Sequence, residues 1–142
     1  MMSEYIEGSP KPQPRVKAYV RGKRAGVYTP DTADAWRNKV IEGLERHADK
    51  NIGGAFAVKL SFFLKRPKSH YRTGRFSHLL RDDAPEYHVK TPDADNLAKL
   101  VMDAITRINY WGDDSQCSLL YVTKAYADEV NEAGVKIETA VL

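Results

Sequence analysis

Residues 56–64 alternate large apolar side chains with smaller or polar ones, and this alternation constrains the fold more than any other feature of the sequence. Phenylalanine, valine or leucine occupies each even position, whereas the odd positions include Ala57, Lys59 and Ser61. A repeat of two residues is typical of a β-strand that packs one face against a core and leaves the other more open. The chain is therefore expected to build a sheet with one buried face.

Two other segments repeat their apolar residues every three or four positions, which is the period of an amphipathic helix. The first helix is predicted over residues 30–50, because Thr29 and Pro30 are favoured at a helix start. The second helix is predicted over residues 93–108. Its expected buried face consists of Leu97, Leu100, Val101, Ala104, Ile105 and Ile108.

The same reading of periodicity predicts four further strands, at residues 15–21, 87–90, 117–127 and 135–141. The resulting order, β-α-β-β-α-β-β, implies an α+β fold in which two main helices pack on a mixed β-sheet. A chain of 142 residues with 42% hydrophobic content suits one domain, so residues 1–142 are expected to fold as a single unit. Residues 1–14 contain three prolines and are expected to form an irregular lead-in.

Cysteine use and hydropathy exclude several classes of protein. Cys117 is the only cysteine, so no internal disulfide can form, and a cytoplasmic location is expected. Cys117 itself is interpreted as a small buried hydrophobic residue. No uncharged apolar run reaches the length of a membrane span, and the first residues lack the features of a signal peptide. No membrane partner is expected.

The net positive charge is small, but the basic residues are concentrated in one part of the sequence. The net charge is only +3, but residues 51–81 contain seven lysines and arginines and no acidic residue. Residues 69–85 have no clear period and are predicted to form a long loop. Such clustering favours contact with nucleic-acid phosphates, although a solvated basic loop is the alternative. The expected DNA-binding residues are Lys65, Arg66, Lys68, Arg72 and Arg75, with Arg15, Lys17, Arg21, Lys23 and Arg24 near the first strand.

Two aromatic side chains of the predicted loop, Tyr71 and Phe76, are placed where they can either stack on exposed bases or anchor the loop. Residues 22–26, which follow the first strand, are interpreted as a basic turn.

Acidic residues lie at both ends of the second helix. Asp93 and Asp95 stand at its start, and Asp113 and Asp114 follow its end. Taken singly, such residues cap helices and fill turns, and Asp95, Lys99 and Asp103 at intervals of four can form an ordinary solvated charge ladder. Taken together, clustered carboxylates suit a divalent cation that acts in phosphoryl transfer.

The residues around this helix resemble the signature of a known family. The run Pro92-Asp93-Ala94-Asp95-Asn96-Leu97-Ala98-Lys99, followed by Asp103-Ala104 and by Trp111-Gly112-Asp113-Asp114-Ser115-Gln116, is similar to that of the RusA family of Holliday junction resolvases from phages and prophages. The block Lys65-Arg66-Pro67-Lys68-Ser69-His70-Tyr71 and the run Lys124-Ala125-Tyr126 are similar too. The resemblance covers most of the chain from Val16 onward.

The resemblance implies a homodimeric, Mg²⁺-dependent crossover junction endodeoxyribonuclease. Such an enzyme resolves four-way DNA junctions by paired symmetric nicks in DNA recombination and repair. Carried over by position, the resemblance implies metal-binding, catalytic carboxylates at Asp93, Asp95 and Asp114. Mn²⁺ is expected to substitute for Mg²⁺, whereas Zn²⁺ is disfavoured because no histidine or cysteine accompanies the carboxylates at ligand spacing.

Three further residues match the family pattern. Lys99 corresponds to an essential catalytic lysine, which can orient the attacking water or stabilise charge on the phosphoryl oxygens. Asp113 is expected to orient the turn that carries Asp114, and Asp103 is expected to pair with Lys99.

Two alternatives stay open at this point. The same carboxylates can serve a structure-selective nuclease that acts mainly on flaps or replication forks. The chain can also be a nucleic-acid-binding module without activity, in which the aspartates only cap a helix and a turn.

Overall fold

The computed structural model describes residues 1–142 and contains six strands and two α-helices. The elements in chain order are β1 (Met2–Glu7), β2 (Lys17–Arg21), β3 (Arg24–Tyr28), α1 (Asp34–Leu44), β4 (Phe56–Leu64), α2 (Ala94–Arg107), β5 (Cys117–Tyr126) and β6 (Gly134–Val141). Four short 3₁₀ turns supplement them, at Glu45–His47, Lys68–His70, Gly74–Phe76 and Asp114–Gln116. The α+β class expected from the sequence is confirmed.

Four of the strands form one mixed sheet in the order β1-β6-β4-β5. β4 runs parallel to β5, whereas β6 is antiparallel to both β1 and β4. Parallel neighbours cannot be joined by a tight turn, because the chain must return to the end of the sheet at which it started. The return path here contains the basic loop, defined as residues 65–85, followed by α2.

Both helices contribute apolar side chains to one continuous core with the sheet. The even-numbered residues of β4 are buried, as the alternation predicted, and Trp36, Val40 and Leu44 of α1 are buried with them. All six residues of the predicted apolar face of α2 are buried as well. The sequence therefore gives the correct orientation of α2, with its charged residues turned outward. No helix has the length and the apolar character needed to cross a membrane.

The opposite face of the sheet has no helix over it. Leu119 and Tyr121 of the edge strand β5 are 59% and 61% exposed there, beside Lys59 of β4. This surface is called the open sheet face. A shallow depression on it is lined largely by apolar residues.

The expectation of an irregular lead-in over residues 1–14 is wrong for its first half. Residues 2–7 form β1 and pair with β6 along their whole length. Met2 and Ile6 are buried, and the Met2 amide donates to Thr139 Oγ1 over 3.1 Å. Burial of two apolar side chains stabilises an edge strand whose sequence has only a short, imperfect alternation.

The strand predicted at residues 15–21 is present as β2 but does not join the main sheet. It pairs with β3 to form a separate two-stranded hairpin, so the expectation of a simple basic turn at residues 22–26 is wrong. The hairpin turn consists of Gly22 and Lys23, and Gly22 has a φ of 58°. Glycine adopts this left-handed conformation without the steric cost that a side chain would bring.

Two predicted elements differ in extent. α1 begins at Asp34 instead of residue 30, and its α-helical part ends at Leu44. Residues 87–90 form an isolated bridge between Tyr87 and Ala125 instead of a strand. Only two backbone hydrogen bonds join this segment to β5: the His88 amide donates to the Lys124 carbonyl oxygen, and the Tyr126 amide donates to the Glu86 carbonyl oxygen.

Candidate active site

The first turn of α2 presents two carboxylates to solvent. Asp93 is the N-cap residue, and its carbonyl oxygen accepts the Leu97 amide hydrogen over 3.0 Å, but its side chain makes no capping bond. Asp95 Oδ1 accepts the Asn96 amide hydrogen over 2.9 Å. The positive end of a helix dipole favours negative charge at this place. Both carboxylates are therefore exposed at the positive end of the helix.

Lys99 lies one turn after Asp95 on the exposed side of α2. It forms no ion pair within 4 Å, so its ammonium group is available to another anion. The pairing expected between Lys99 and Asp103 is therefore not observed. In an α-helix an acid four residues after a lysine is the less favourable orientation of such a pair, which accounts for the difference.

The loop after α2 is organised around Asp113. Its Oδ2 accepts the Ser115 amide hydrogen over 3.1 Å, and Gln116 Oε1 accepts the Asp113 amide hydrogen over 3.2 Å. These reciprocal bonds form a capping box for the short 3₁₀ turn that begins at Asp114. The hydrogen bonds from Ser115 lower the pKa of the Asp113 carboxyl below its ordinary value. Asp113 thus holds this turn through the capping box.

Gln116 and Trp111 attach the loop to the body of the protein. The amide nitrogen of Gln116 donates to the carbonyl oxygens of Ile52 and Gly54 over 3.0 and 2.9 Å. Trp111 is fully buried, and its indole nitrogen donates to Thr106 Oγ1 over 2.7 Å. Since Thr106 belongs to α2, this bond fixes the loop relative to the helix.

The helix and the loop together line one cleft. Asp95 and Lys99 from α2 meet Asp114 from the loop there, over a floor of Ala98, Met102, Cys117, Leu120 and Val122. This depression is called the acidic cleft. An adjacent depression is lined by Asp103, Thr106, Arg107, Asp113 and Asp114. Asp114 borders both depressions, whereas Asp93 is not among the residues that line either one.

The acidic cleft offers the donor atoms of a magnesium site but no complete cage of ligands. No three histidine, cysteine, aspartate or glutamate side chains are close enough to form a metal-binding group. Mg²⁺ is commonly held by one or two carboxylates, with water and substrate phosphate oxygens completing its shell. Two carboxylates across a solvent-accessible cleft, Asp95 and Asp114, fit that mode of binding.

Lys124 of β5 supports the segment that leads into α2. Its ammonium group donates to the carbonyl oxygen of Pro92 over 2.8 Å and to that of Lys90. Pro92 directly precedes Asp93, so the two bonds tie the start of α2 to the edge strand. This role of Lys124 could not be predicted, since the sequence does not show which carbonyl groups a lysine on a strand will contact.

The structure divides the predicted DNA-binding residues of the basic loop into two groups. Arg66 donates to the carbonyl oxygens of Ala127 and Pro85, and Arg72 donates to Leu80 and pairs with Asp82. These two guanidinium groups hold the loop in shape. The remaining residues are exposed and form no ion pair within 4 Å; they are Lys65, Lys68 and Arg75.

The aromatic residues of the basic loop also differ in setting. Tyr71 is half-buried, and its carbonyl oxygen accepts a hydrogen bond from Arg81, so it acts within the loop. Phe76 is 45% exposed and lies beneath the Arg75 guanidinium group at 4.9 Å. Of these two aromatic residues, Phe76 is therefore the one whose ring is exposed enough to contact a ligand.

Cys117 is half-buried at the floor of the acidic cleft instead of fully buried as expected. Burial raises the pKa of its thiol, and the nearby Asp114 charge raises it further. A protonated thiol is a poor nucleophile. Cys117 thus contributes to packing in the cleft.

The fold and the cleft define an α+β protein in which acidic residues from the start of α2 and from the loop after it line one cleft. A family model described as Endodeoxyribonuclease RusA matches residues 7–138. The chain therefore belongs to the RusA family of endodeoxyribonucleases, the family of Holliday junction resolvases that its motif predicted. No curated protein matches the chain.

Proposed function

We propose that this nuclease is a Mg²⁺-dependent enzyme that resolves four-way DNA junctions by paired symmetric nicks. The observation that carries the proposal is the acidic cleft, in which two carboxylates and an unpaired lysine from separate elements face one solvent-accessible space. Membership of the RusA family supports the choice of a branched DNA substrate.

Asp95 and Asp114 are the proposed metal ligands on the two sides of the acidic cleft. Asp93 is proposed as a third ligand, since its carboxylate is exposed, makes no capping bond and stands two residues before Asp95. A bound Mg²⁺ ion supplies Lewis-acid stabilisation of a phosphoryl oxygen and lowers the pKa of a coordinated water. Mn²⁺ shares the preference for oxygen ligands and is expected to support the reaction.

Lys99 is proposed to contact the scissile phosphate. Its ammonium group lines the acidic cleft without an intramolecular partner, so no existing ion pair has to break when the phosphate arrives. A fixed positive charge at this place stabilises the negative charge that develops on the phosphoryl oxygens. Asp113 and Gln116 act indirectly, by holding the turn that presents Asp114.

The DNA duplex is proposed to contact the exposed cations of the basic loop. Lys65, Lys68 and Arg75 can each neutralise a phosphate, which gives affinity without dependence on sequence. Arg66 and Arg72 are proposed to preserve the shape of this loop through their carbonyl contacts.

A homodimer is proposed because a two-fold protein can place one cleft at each of two symmetry-related strands. The open sheet face supports this arrangement. It exposes large apolar side chains, among them Leu119 and Tyr121, on a sheet surface without a covering helix. A stable dimer buries about 800 Å² on each partner and favours such apolar, aromatic surfaces.

The testing experiment is nicking of a synthetic four-way junction beside a linear duplex and a flap of matched sequence, with Mg²⁺ or with EDTA. The variants are Asp95→Asn and, as a matched control, Glu42→Gln at an exposed site on α1. We expect symmetric junction nicks that require Mg²⁺, disappear in Asp95→Asn and persist in Glu42→Gln.

Two other outcomes would contradict the proposal and indicate a different function. Faster cutting of the flap than of the junction would keep the acidic cleft as the active site and change the substrate. Tight junction binding without cleavage under Mg²⁺ or Mn²⁺ would indicate a binding module instead of an enzyme.

A further inference from the structure

The β2–β3 hairpin projects from the protein as an exposed ribbon. It forms a sheet of its own, and every residue of its two strands except Gly26 is exposed. A strand of five residues extends about 17 Å. Nothing in the packing of the core explains why the chain builds this ribbon.

The register of the hairpin sorts its side chains onto two faces. Lys17 pairs with Tyr28, Tyr19 with Gly26, and Arg21 with Arg24. Paired residues of an antiparallel ribbon point to the same side, and residues two apart along a strand do so as well. One face therefore carries three cations and two tyrosines, whereas the other carries only alanine and valine.

The cations of this face have no counter-charge. Residues 8–30 contain no aspartate or glutamate, and none of these cations forms an ion pair within 4 Å. Arg21 directly opposite Arg24 is unfavourable in an isolated ribbon, because like charges face each other across the strands. An anion bound between the two guanidinium groups would relieve that repulsion.

The two tyrosines form an exposed aromatic surface. Tyr19 and Tyr28 have ring centroids 6.2 Å apart and are 42% and 50% exposed. The Tyr19 ring lies across the backbone of Gly26, where a Cβ atom would come within 2.7 Å of the ring. Glycine at this position thus lets the ring lie on the ribbon. Together with Arg21 and Arg24, the tyrosines line one shallow depression.

The base of the hairpin lies near the catalytic helix. The Gln13 amide donates to the carbonyl oxygen of Asn96 over 3.0 Å, and Gln13 Oε1 accepts a bond from Arg37. Asn96 adjoins Asp95, and four residues of chain span at most about 14 Å from Gln13 to the start of β2. DNA that reaches the acidic cleft is therefore within range of the ribbon.

We propose that the basic, aromatic face of the β2–β3 hairpin binds unpaired nucleotides of the DNA beside the acidic cleft, with Tyr19 and Tyr28 stacking on bases and Arg21 and Arg24 binding phosphates. The inference rests on the proposed function. Paired and stacked bases present only their edges, so exposed aromatic faces gain contact only from bases that have left the stack. The crossover of a branched DNA can supply such bases.

The test measures binding of the full chain to a single-stranded oligonucleotide that contains 2-aminopurine, and to a linear duplex, both in EDTA. Stacking on a tyrosine quenches 2-aminopurine fluorescence. The double variant Tyr19→Leu/Tyr28→Leu keeps apolar side chains, and Tyr19→Phe/Tyr28→Phe keeps the rings. We expect the leucine variant to lose at least about tenfold in oligonucleotide affinity together with the quenching, and the phenylalanine variant to retain both.

A second pair of variants tests the phosphate contacts. Arg21→Gln/Arg24→Gln is compared with Lys39→Gln/Lys136→Gln, which removes the same charge from exposed sites on α1 and β6. The logarithm of the affinity falls as the logarithm of the salt concentration rises, and each lost phosphate contact makes this slope shallower by about 0.7 for single strands. We expect this shallower slope in the arginine variant only. Circular dichroism and melting check that each variant is folded.

Three results overturn the inference: unchanged oligonucleotide affinity in a folded leucine variant, persistent quenching in that variant, or an equal loss of affinity for the duplex. Junction nicking by the wild-type chain is measured separately. Quenching without nicking would reject the proposed function and support the hairpin site, whereas nicking with unaffected leucine variants would reject the hairpin site alone.

Discussion

The Lys124 ammonium group donates a hydrogen bond to the carbonyl oxygen of Pro92 over 2.8 Å, which links strand β5 to the residue before Asp93. We expect Lys124→Met to slow junction cleavage by about tenfold or more, because the start of α2 loses two bonds and its carbonyl groups lose their partner. Junction affinity in EDTA should change far less than the cleavage rate. Recovery of part of the rate in Lys124→Arg would support a positioning role, whereas equal defects in affinity and rate would contradict it.

Lys99→Gln is expected to reduce the cleavage rate by about a hundredfold, since it removes the fixed cation proposed to contact the transition state. The melting temperature should not fall, because Lys99 forms no ion pair that the substitution would break. Single-turnover cleavage and thermal melting measure the two quantities. Lys39→Gln, at an exposed position of α1, is the matched control, and this variant should cleave the junction at the wild-type rate.

Gln116→Ala is expected to lower both stability and activity. The side chain bridges Gly112 and Asp113 on one side and Ile52 and Gly54 on the other, so its loss leaves several backbone groups without a protein partner. We expect a decrease of about 2 kcal/mol in the free energy of unfolding, measured by urea denaturation. Ser118→Ala, at an exposed position of β5, is the control. A stable Gln116→Ala protein with full activity would show that the loop keeps Asp114 in place by other contacts.

Glu4 makes stability depend on pH. Burial alone would raise its pKa, but hydrogen bonds from His47 and Arg46 outweigh burial and hold the pKa of Glu4 below its ordinary value of 4.5. A carboxyl with a lowered folded pKa stabilises the fold above its unfolded pKa, and this contribution is lost as the pH falls through the folded pKa. Glu4→Gln should therefore lower the melting temperature by about 3 °C at pH 7 and by less below pH 4. The exposed Glu129→Gln should show no such difference between the two pH values.

The open sheet face is expected to mediate dimer formation. Leu119→Asp/Tyr121→Asp places two charges on this surface, so the variant should elute as a monomer under conditions in which the wild-type chain is a dimer. Light scattering coupled to gel filtration gives the mass of each. Val130→Asp, in the exposed loop before β6, is the control for added charge. A dimeric double variant would assign the interface to another surface.

The central elements could be predicted from the sequence because their apolar periods are long and regular. β4 and α2 show this best, and each buries the side chains that its pattern selects. β1 was missed because its stability depends on pairing with β6, at the far end of the chain. The hairpin was missed in part because its strands bury almost nothing, so no apolar pattern marks β3.

The sequence indicated which residue types form the site, but it did not show that these residues lie close together in the fold. Asp95 and Asp114 belong to one cleft because Trp111 and Gln116 fix the loop against α2 and the segment before β4, and those contacts are tertiary. Spacing along the chain also suggested a Lys99–Asp103 pair that does not form. It gave no indication that Arg66 and Arg72 are occupied by carbonyl groups of their own loop.

The acidic cleft comes from a single helix–loop–strand segment, α2 to β5, since Asp95, Lys99 and Asp114 and the apolar floor all belong to it. The rest of the molecule has only to cover the buried side of that segment and deliver DNA to its open side. Under the proposed function, a change in the basic loop or in the hairpin would therefore alter the contacts with DNA without replacing any residue that lines the acidic cleft.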